Sequence, residues 1–342
     1  MSNPTLFNTT KTVEDYAQKK LFGVGDSPLL DTVHDHFPKI SQLYDEMCAL
    51  KWKETEIDFS QCLIDFEFAP PDMSEMMIKT LSWQWHNDSL ASQAPTTIIA
   101  PFEPCTEIWK TEVEIQSNEL THGLTYSEIV RMSFKDPDKV LASILEQQEV
   151  YQRSGAVGRY LRAIKTFSIN YAYAKENNLE LPSEKEVCRH LILFYFIMLC
   201  LERIQFMASF AITFTIVSAG YFIPIGSAVM KICQDEFEVH SEYRKETLRE
   251  LFKTAEGAIL FEEMQSTFVE IIEEVVDQDT EWTTDYIFEK GAKSLVGTNA
   301  SLVSAFILYC TKDVANLVKV KTKYSFPRTN PMPHLDDFMD LS

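Results

Sequence analysis

The sequence predicts an all-α protein, a bundle of long helices, and three observations predict it. Glycine is scarce, 10 in 342 residues, so long stretches carry neither glycine nor proline to interrupt a helix. Apolar residues recur three and four apart, which is the helical period, and few segments alternate. No repeat, low-complexity linker or compositional shift divides the chain, and its length suffices for one sizeable core.

The elements follow in order. Residues 1–30 are expected to be a flexible N-terminal arm, punctuated by Gly23, Gly25 and Pro28. Helical spacing runs over 34–50, with Trp52 just beyond. Pro70-Pro71-Asp72 opens the next helix, with Asp72 as N-cap and Glu75 completing a capping box. That helix carries Trp83, Trp85, His86 and Asp88. An apolar loop with Pro95, Pro101 and Pro104 leads into a helix over 106–132. After Pro137 helix resumes through Tyr151 and Tyr160 to Tyr173. A second capping box, Ser183 with Glu186, starts a very apolar helix through 191–201 to Phe214, interrupted only by Glu202, Arg203 and Gln205. The helix after Pro224 contains Asp235-Glu-Phe-Glu-Val-His240. Helical stretches follow over 254–276, 284–294 and 300–318. The body is thus expected to span 31–333. An acidic tail, 334–342, sets Phe338 and Leu341 among Asp336, Asp337 and Asp340.

Charge narrows the function. A net charge of −20 argues against a nucleic-acid partner, which needs a basic face, and suits a partner bearing a basic patch. The seven cysteines are odd in number and scattered, without Cys-x-x-Cys. They read as reduced thiols of a cytoplasmic protein, not as a disulfide frame or zinc site. The first residues lack a basic region followed by an apolar core, so no signal peptide is expected. The uncharged run 205–230 is long enough to span a membrane. Pro224 and Gly226 break it, however, and Ser209, Thr213, Thr215 and Ser218 are spread along it. Two buried helix ends joined by a turn near 220–224 are expected instead, with no membrane.

Glu119, His122 and Tyr126 fall on one helix face at ~100° per residue. Glu236 and His240, four apart, share a face, whereas Glu238 points away to solvent. Glu202, deep in apolar sequence, is costly to bury unless paired, protonated or bound to metal. With Asp88, four long helices each offer an inward acid, and two of them add a histidine. A lone acid on each of two helices and a Glu/His pair on each of the other two describes a dinuclear metal site in the core of a ferritin-like helical bundle. Four carboxylates balance two divalent ions; without them the acids would repel one another and take up protons. Oxygen and imidazole donors suit iron, manganese or a mixed pair, and the lack of a cysteine ligand argues against iron–sulfur or structural zinc. His34, His36, His86, His190 and His334 lack acidic partners at ligand spacing and are expected to be structural or exposed.

These residues resemble the small, radical-generating subunit of class I ribonucleotide reductase, from Trp52 to Pro333. The likeness rests on Trp52 to Asp88 (36 residues), Asp88 to Glu119 (31), Glu119-x-x-His122-x-x-x-Tyr126, and Glu202 to Glu236 (34). It rests also on the strings Leu201-Glu-x-Ile-x-Phe206-x-x-Ser-Phe210, Asp235-Glu236 and Arg328-Thr-Asn-Pro-Met-Pro333. The resemblance implies that Asp88, Glu119, His122, Glu202, Glu236 and His240 bind two metals, iron first, and that Tyr126 holds a tyrosyl radical. It implies a dry pocket of Phe206, Phe210 and Ile232 around that radical, and an exit route through His122, Asp235 and Trp52. It further implies a homodimer, a large catalytic subunit that reduces ribonucleotides, and an activating flavoprotein in some members. The alternative is a diiron oxidase or monooxygenase acting directly on a bound substrate, which would have no need of the Trp52 route. A metal store or purely structural bundle is the other rival. Such a store is usually about half this length, and such a bundle has no reason to set six ligands facing one another.

Three positions depart from the family's pattern. Its Glu-x-x-His is here Glu236-Phe-Glu-Val-His240, one residue longer, which either direct i,i+4 ligation or a π-bulge would absorb. Gln234 stands where many relatives carry arginine. Relatives also carry a relay tyrosine in a longer tail, whereas no tyrosine follows Tyr324; the acidic tail remains a candidate for docking on a large subunit.

Overall fold

The computed structural model describes residues 9–25 and 28–339. Among these residues every regular element is a helix, and the sole β-type contact is an isolated bridge between Leu295 and Thr298. Four long rods make the centre of the bundle. Pro71–Ala91 carries Asp88, and Thr106–Ser133 carries Glu119, His122 and Tyr126. Glu184–Ser218 carries Glu202, and a rod over 223–252 carries Asp235, Glu236 and His240. The first two pack along each other, the Phe206–Ser218 half of the third lies against Pro71–Ala91, and Glu184–Cys200 lies against Ser241–Phe252.

Local chemistry accounts for the helix ends. Ser183 and Glu186 cap each other's backbone as expected. Pro71–Ala91 starts one residue before Asp72. Pro71 takes the first helical position, where its missing N–H costs nothing, and Pro70 rather than Asp72 is the N-cap. The same rule moves the start of the 34–50 helix to Pro38, giving Pro38–Ala49. The third and fourth rods are joined by a turn with Gly220 at φ +90° and Phe222 at φ +57°. The Asp65 carboxylate accepts the Phe222 N–H at 2.9 Å, which offsets part of the left-handed strain. Gly226 lets the two rods approach: a Cβ there would lie 2.7 Å from Val217. The Glu184–Ser218 rod has a mean hydropathy of 1.8 over its most apolar window, yet that window is 89% buried inside the protein. It is a core helix.

Several expectations are corrected. Ser60–Phe68 and Pro95–Ile99 are helices where none was expected. The stretch after Pro137 is three helices, Pro137–Leu145, Gln148–Arg153 and Gly155–Glu176. The 284–294 helix does not exist as such. Gln265–Glu281 runs on through a π segment, Trp282–Ile287, and stops where Glu289 and Lys290 turn left-handed at φ 45° and 55°. Residues 21–24, within the expected arm, are tied to the loop at 102–105: Gly23 N–H donates to Phe102 O at 2.9 Å, and Cys105 N–H to Leu21 O at 2.9 Å. In the tail, Leu335 and Met339 are buried and Phe338 stacks on Phe214 at 4.9 Å. Asp340 and Leu341 lie outside the described residues.

Candidate metal centre

The rods bring the six expected ligands together, all of them buried to 1% exposure or less. They form two groups. Asp88, Glu119, His122 and Glu236 offer one donor atom each within 4.8 Å of one another, and so do Glu119, Glu202, Glu236 and His240. Glu119 and Glu236 belong to both groups, so each would be available to either of two ions held here.

Two π turns set this register. Ser241 N–H bonds back five residues to Glu236 O, and Phe206 N–H five residues to Leu201 O. Glu236 and His240 lie inside Asp235–His240, and Glu202 inside Leu201–Gln205. The π alternative for the long Glu236/His240 spacing is therefore the one adopted: the wider turn absorbs the extra residue and keeps both side chains inward.

The donor atoms fit a metal pair. Both oxygens of Asp88 and of Glu236, one oxygen each of Glu119 and Glu202, and Nδ1 of His122 and His240 are buried without a hydrogen-bond partner. His122 Nδ1 faces Glu236 Oε1 at 3.3 Å and Glu119 Oε2 at 3.5 Å, and His240 Nδ1 faces Glu236 Oε2 at 3.4 Å. The atoms are close but not aligned as hydrogen bonds. Orphaned buried polar atoms are costly and rare, and bound cations at this position would satisfy them together.

Titration carries the same message. Burial, with the Glu119 charge adding to it, raises the Asp88 carboxyl well above the usual range. Burial likewise raises Glu119, and lifts Glu202 to about 8 against the pull of Arg244. Burial acts upward on Glu236 too, but the two imidazoles, His240 first, outweigh it and hold that group at about 2. The carboxylates in turn overcome burial to raise His240 to about 9 and His122 well above its ordinary value. Burial and mutual repulsion thus work against charge on most of these acids, and a bound cation would relieve both.

Each histidine is held from behind. His122 Nε2 lies 3.0 Å from Asp235 Oδ2, and the same oxygen accepts the Trp52 indole N–H at 2.9 Å. The Trp52 and His122 rings stack with centroids 6.0 Å apart. His240 Nε2 faces Asn118 Nδ2 at 3.4 Å. Tyr126 is buried, and its hydroxyl has no aligned partner. Burial first, then the Asp88 carboxylate, push the phenol well above its usual pKa. Phe206, Phe210 and Ile232 are wholly buried, and the two phenylalanine rings stack 5.6 Å apart. Gln234 donates to the exposed Glu238 at 3.1 Å and takes no part in the Asp235 bridge.

Sequence reasoning missed the support behind Glu202. Arg244 Nε donates to Glu202 Oε1 at 3.1 Å, and Arg244 Nη1 to Glu112 Oε1 at 2.5 Å. Tyr243 Oη donates to Glu112 at 2.9 Å. Helical spacing was the available signal: Glu112 lies seven residues before Glu119, and Arg244 four after His240. One histidine reading is corrected, because His34 does have an acidic partner, Asp31, at 2.8 Å. His86, His190 and His334 face Ser82 O, Glu186 O and Thr215 Oγ1 and are structural.

Comparison with known proteins shows the family. The protein-family description "Ribonucleotide reductase, small chain" matches residues 33–331. "Ribonucleoside-diphosphate reductase 1 subunit beta" of Salmonella typhimurium is 22% identical over 99% of this chain and 87% of its own length. The corresponding subunit beta of Enterobacteria phage T4 is 22% identical over 90% of this chain and 82% of its own. Among solved structures, the ribonucleotide reductase R2 subunit from Clostridium botulinum superposes with a TM-score of 0.80 at 17% identity, covering 99% of this chain and 98% of that one. The dimanganese(II)-NrdF of Streptococcus sanguinis gives 0.67 at 14% identity over 89% and 96%. These two structures share the fold. With the family description covering most of its length, this chain belongs to the ribonucleotide reductase small-chain family, and is the small subunit of that oxidoreductase.

Proposed function

We propose that this subunit holds two metal ions, iron first with manganese or a mixed pair as alternatives, and stores an oxidising equivalent as a radical on Tyr126. The observation that carries this reading is the pair of buried ligand groups sharing Glu119 and Glu236, beside a buried tyrosine on which the Asp88 carboxylate acts. One ion would be held by Asp88, Glu119, His122 and Glu236, the other by Glu119, Glu202, Glu236 and His240. The chemistry supplied there when metal is bound is activation of oxygen, the source of the oxidation of Tyr126.

The remaining work belongs to the chain. Burial keeps Tyr126 a neutral phenol at neutral pH, so loss of an electron together with the proton leaves no charge in an apolar pocket. Phe206, Phe210 and Ile232 exclude water from that pocket. Asp235 joins His122 to Trp52 through one oxygen, and that chain is the route by which the oxidising equivalent leaves toward a large catalytic subunit reducing ribonucleotides. Docking through Phe338 would first have to lift its ring from Phe214.

A second copy is the expected partner of the exposed apolar stripe formed by Val113, Leu120 and Leu124, with Leu90 also exposed. Sedimentation at twice the chain mass is the expected result, and a monomer would count against it. The seven thiols are all unpaired, in keeping with a reducing, cytoplasmic setting. An activating flavoprotein enters this reading with a manganese form. The body is proposed to run over 31–333, with Leu21 of the arm and Leu335 and Met339 of the tail packed onto its core.

Electron paramagnetic resonance tests the central claim. Metal-free protein is reconstituted with ferrous or manganous ion and exposed to air, the manganese arm with and without an added reductant protein. A tyrosyl signal is expected, and Tyr126→Phe should abolish it while metal content stays at two per chain. A signal that survives Tyr126→Phe would refute the assignment.

A further inference from the structure

A second line of aromatic rings starts at Phe206, which the proposed function places at the wall of the Tyr126 pocket. Trp83 meets Phe206 edge-on at 5.0 Å, and it sits on the Asp88 helix five residues before that ligand. The Arg153 guanidinium lies 3.6 Å from the centre of the Trp83 ring and 3.8 Å from that of Trp282. Trp282 in turn is 6.3 Å from Tyr286, which is half-buried at the surface. Beyond Phe206, the oxidisable rings Trp83, Trp282 and Tyr286 form a ready leak for an oxidising equivalent.

We propose that Arg153 insulates the stored radical: held between Trp83 and Trp282, its guanidinium makes both indoles poor electron donors and closes this path. The proposal rests on the radical reading of Tyr126. The suppressed step passes one electron from an indole to the phenoxyl, giving phenolate and an indole radical cation. The Asp279 carboxylate offsets part of the guanidinium charge from the Nε edge. It is the cation, however, that lies 3.6 and 3.8 Å from the ring centres, so it repels an indole radical cation at contact range with no solvent between.

Proton acceptors differ in the same sense. Trp52 donates its indole N–H to the Asp235 carboxylate, which stabilises positive charge on the ring and can take its proton. Trp83 donates to the neutral Ser154 hydroxyl at 3.0 Å, and the buried Trp282 N–H has no partner. Farther out, Lys79 Nζ stands 4.4 Å over the Tyr286 ring, so the last member also lies under a cation. Trp52 has a lysine too, but Lys231 is 5.6 Å away, 40% exposed and opposite Glu56, and solvent weakens it. Arg153 is locked in place: Nε donates to Asp279 at 2.8 Å, Nη2 to Gln205 O, and Gln205 Nε2 returns a bond to Arg153 O at 2.8 Å.

The test removes the charge without stranding its partner. Arg153→Met is combined with Asp279→Leu, and Arg153→Lys, which keeps the charge, is the control. In the metal-loaded protein without a large subunit, the tyrosyl signal of the double variant should decay on the order of tenfold faster, the effect of a barrier lowered by about 1.4 kcal/mol. An indole radical signal should accompany the decay. Adding Trp83→Phe and Trp282→Phe should restore the lifetime, and Arg153→Lys should behave as the parent does. A merely structural pair would move the melting temperature and yield no indole signal. An unchanged lifetime in a folded variant overturns the proposal. Should that double variant not fold, Arg153→Gln combined with Asp279→Asn, a neutral pair that can still hydrogen-bond, gives the same comparison. Photo-oxidation of the metal-free protein, mapped by mass spectrometry, separates this from the radical reading. Oxidation at Trp83 and Trp282 should rise when the charge is removed, and equal yields overturn insulation whatever happens at Tyr126. Absence of any tyrosyl signal in the parent would instead sink the radical reading, leaving the photo-oxidation to decide.

Discussion

The two flanks of the metal centre are built from opposite materials. On the Asp88 flank His122 leans on a carboxylate, Asp235, that also holds Trp52, and both oxygens of Asp88 are free of hydrogen bonds. On the Glu202 flank a buried guanidinium, Arg244, is wedged between Glu202 and Glu112, with Tyr243 closing the network. An oxidising equivalent that passes onto an indole is, until the ring loses its proton, a positive charge. Fixed cations stand behind Glu202 and between Trp83 and Trp282, and a carboxylate stands at Trp52. Under the proposed radical function, this arrangement would favour exit past Trp52 by making the path through Trp83 and Trp282 electrostatically uphill.

The sharpest way to break this comparison is through the ligands the two flanks share. Glu236→Ala should lose both metals, whereas Asp88→Ala and His240→Ala should each lose one. Elemental analysis reads the difference directly, and one metal retained by Glu236→Ala would show that the groups are independent.

A smaller effect probes the Glu202 flank alone. Arg244→Met strands the buried Glu112, and breaking one side of a buried ion pair costs about 3–5 kcal/mol. The metal-free protein should therefore melt several degrees lower by calorimetry, and adding Glu112→Leu should recover most of the loss. No change in melting would mean that the guanidinium is not needed to hold the flank.

The smallest expected effect is on pH dependence. Glu202 and His240 have folded pKa values of about 8 and about 9, each above its unfolded value. Both therefore stabilise the metal-free fold at low pH and lose that contribution as pH rises, Glu202 between about 4.5 and 8 and His240 between about 6.5 and 9. Glu236, held at about 2, acts in the opposite sense but only below about 4.5. The melting temperature of metal-free protein should fall from pH 5 to 9, and metal uptake in weak buffer should release protons. A flat profile for the metal-free form would contradict these shifts.

Most of the centre was legible because its ligands lie on long helices, where spacing alone decides the face. Glu119, His122 and Tyr126 needed nothing beyond the helical period. What stayed hidden depends on neighbours distant in sequence. Arg244 looks like one more charge on a polar helix until Glu112 and Glu202 are brought against it from two other rods. Ser60–Phe68 is too short and too apolar to separate from a buried strand by period. The choice between an α and a π turn at Glu236 turns on which carbonyl Ser241 N–H reaches, and packing decides that. Asp72 was a plausible cap outranked by Pro71 next to it, a local competition resolved by where proline is least costly.

The π turn at Asp235–His240 also bears on how such proteins are found. An inserted residue in a ligand-bearing helix would ordinarily rotate everything after it by about 100° and destroy the site. Here one widened turn confines the change to a single revolution, so the four-residue gap from Glu236 to His240 still delivers an acid and an imidazole to one point. A pattern search demanding the three-residue gap would pass over this chain. A search on distances between donor atoms would recover it, because a helix can change its count without moving its chemistry.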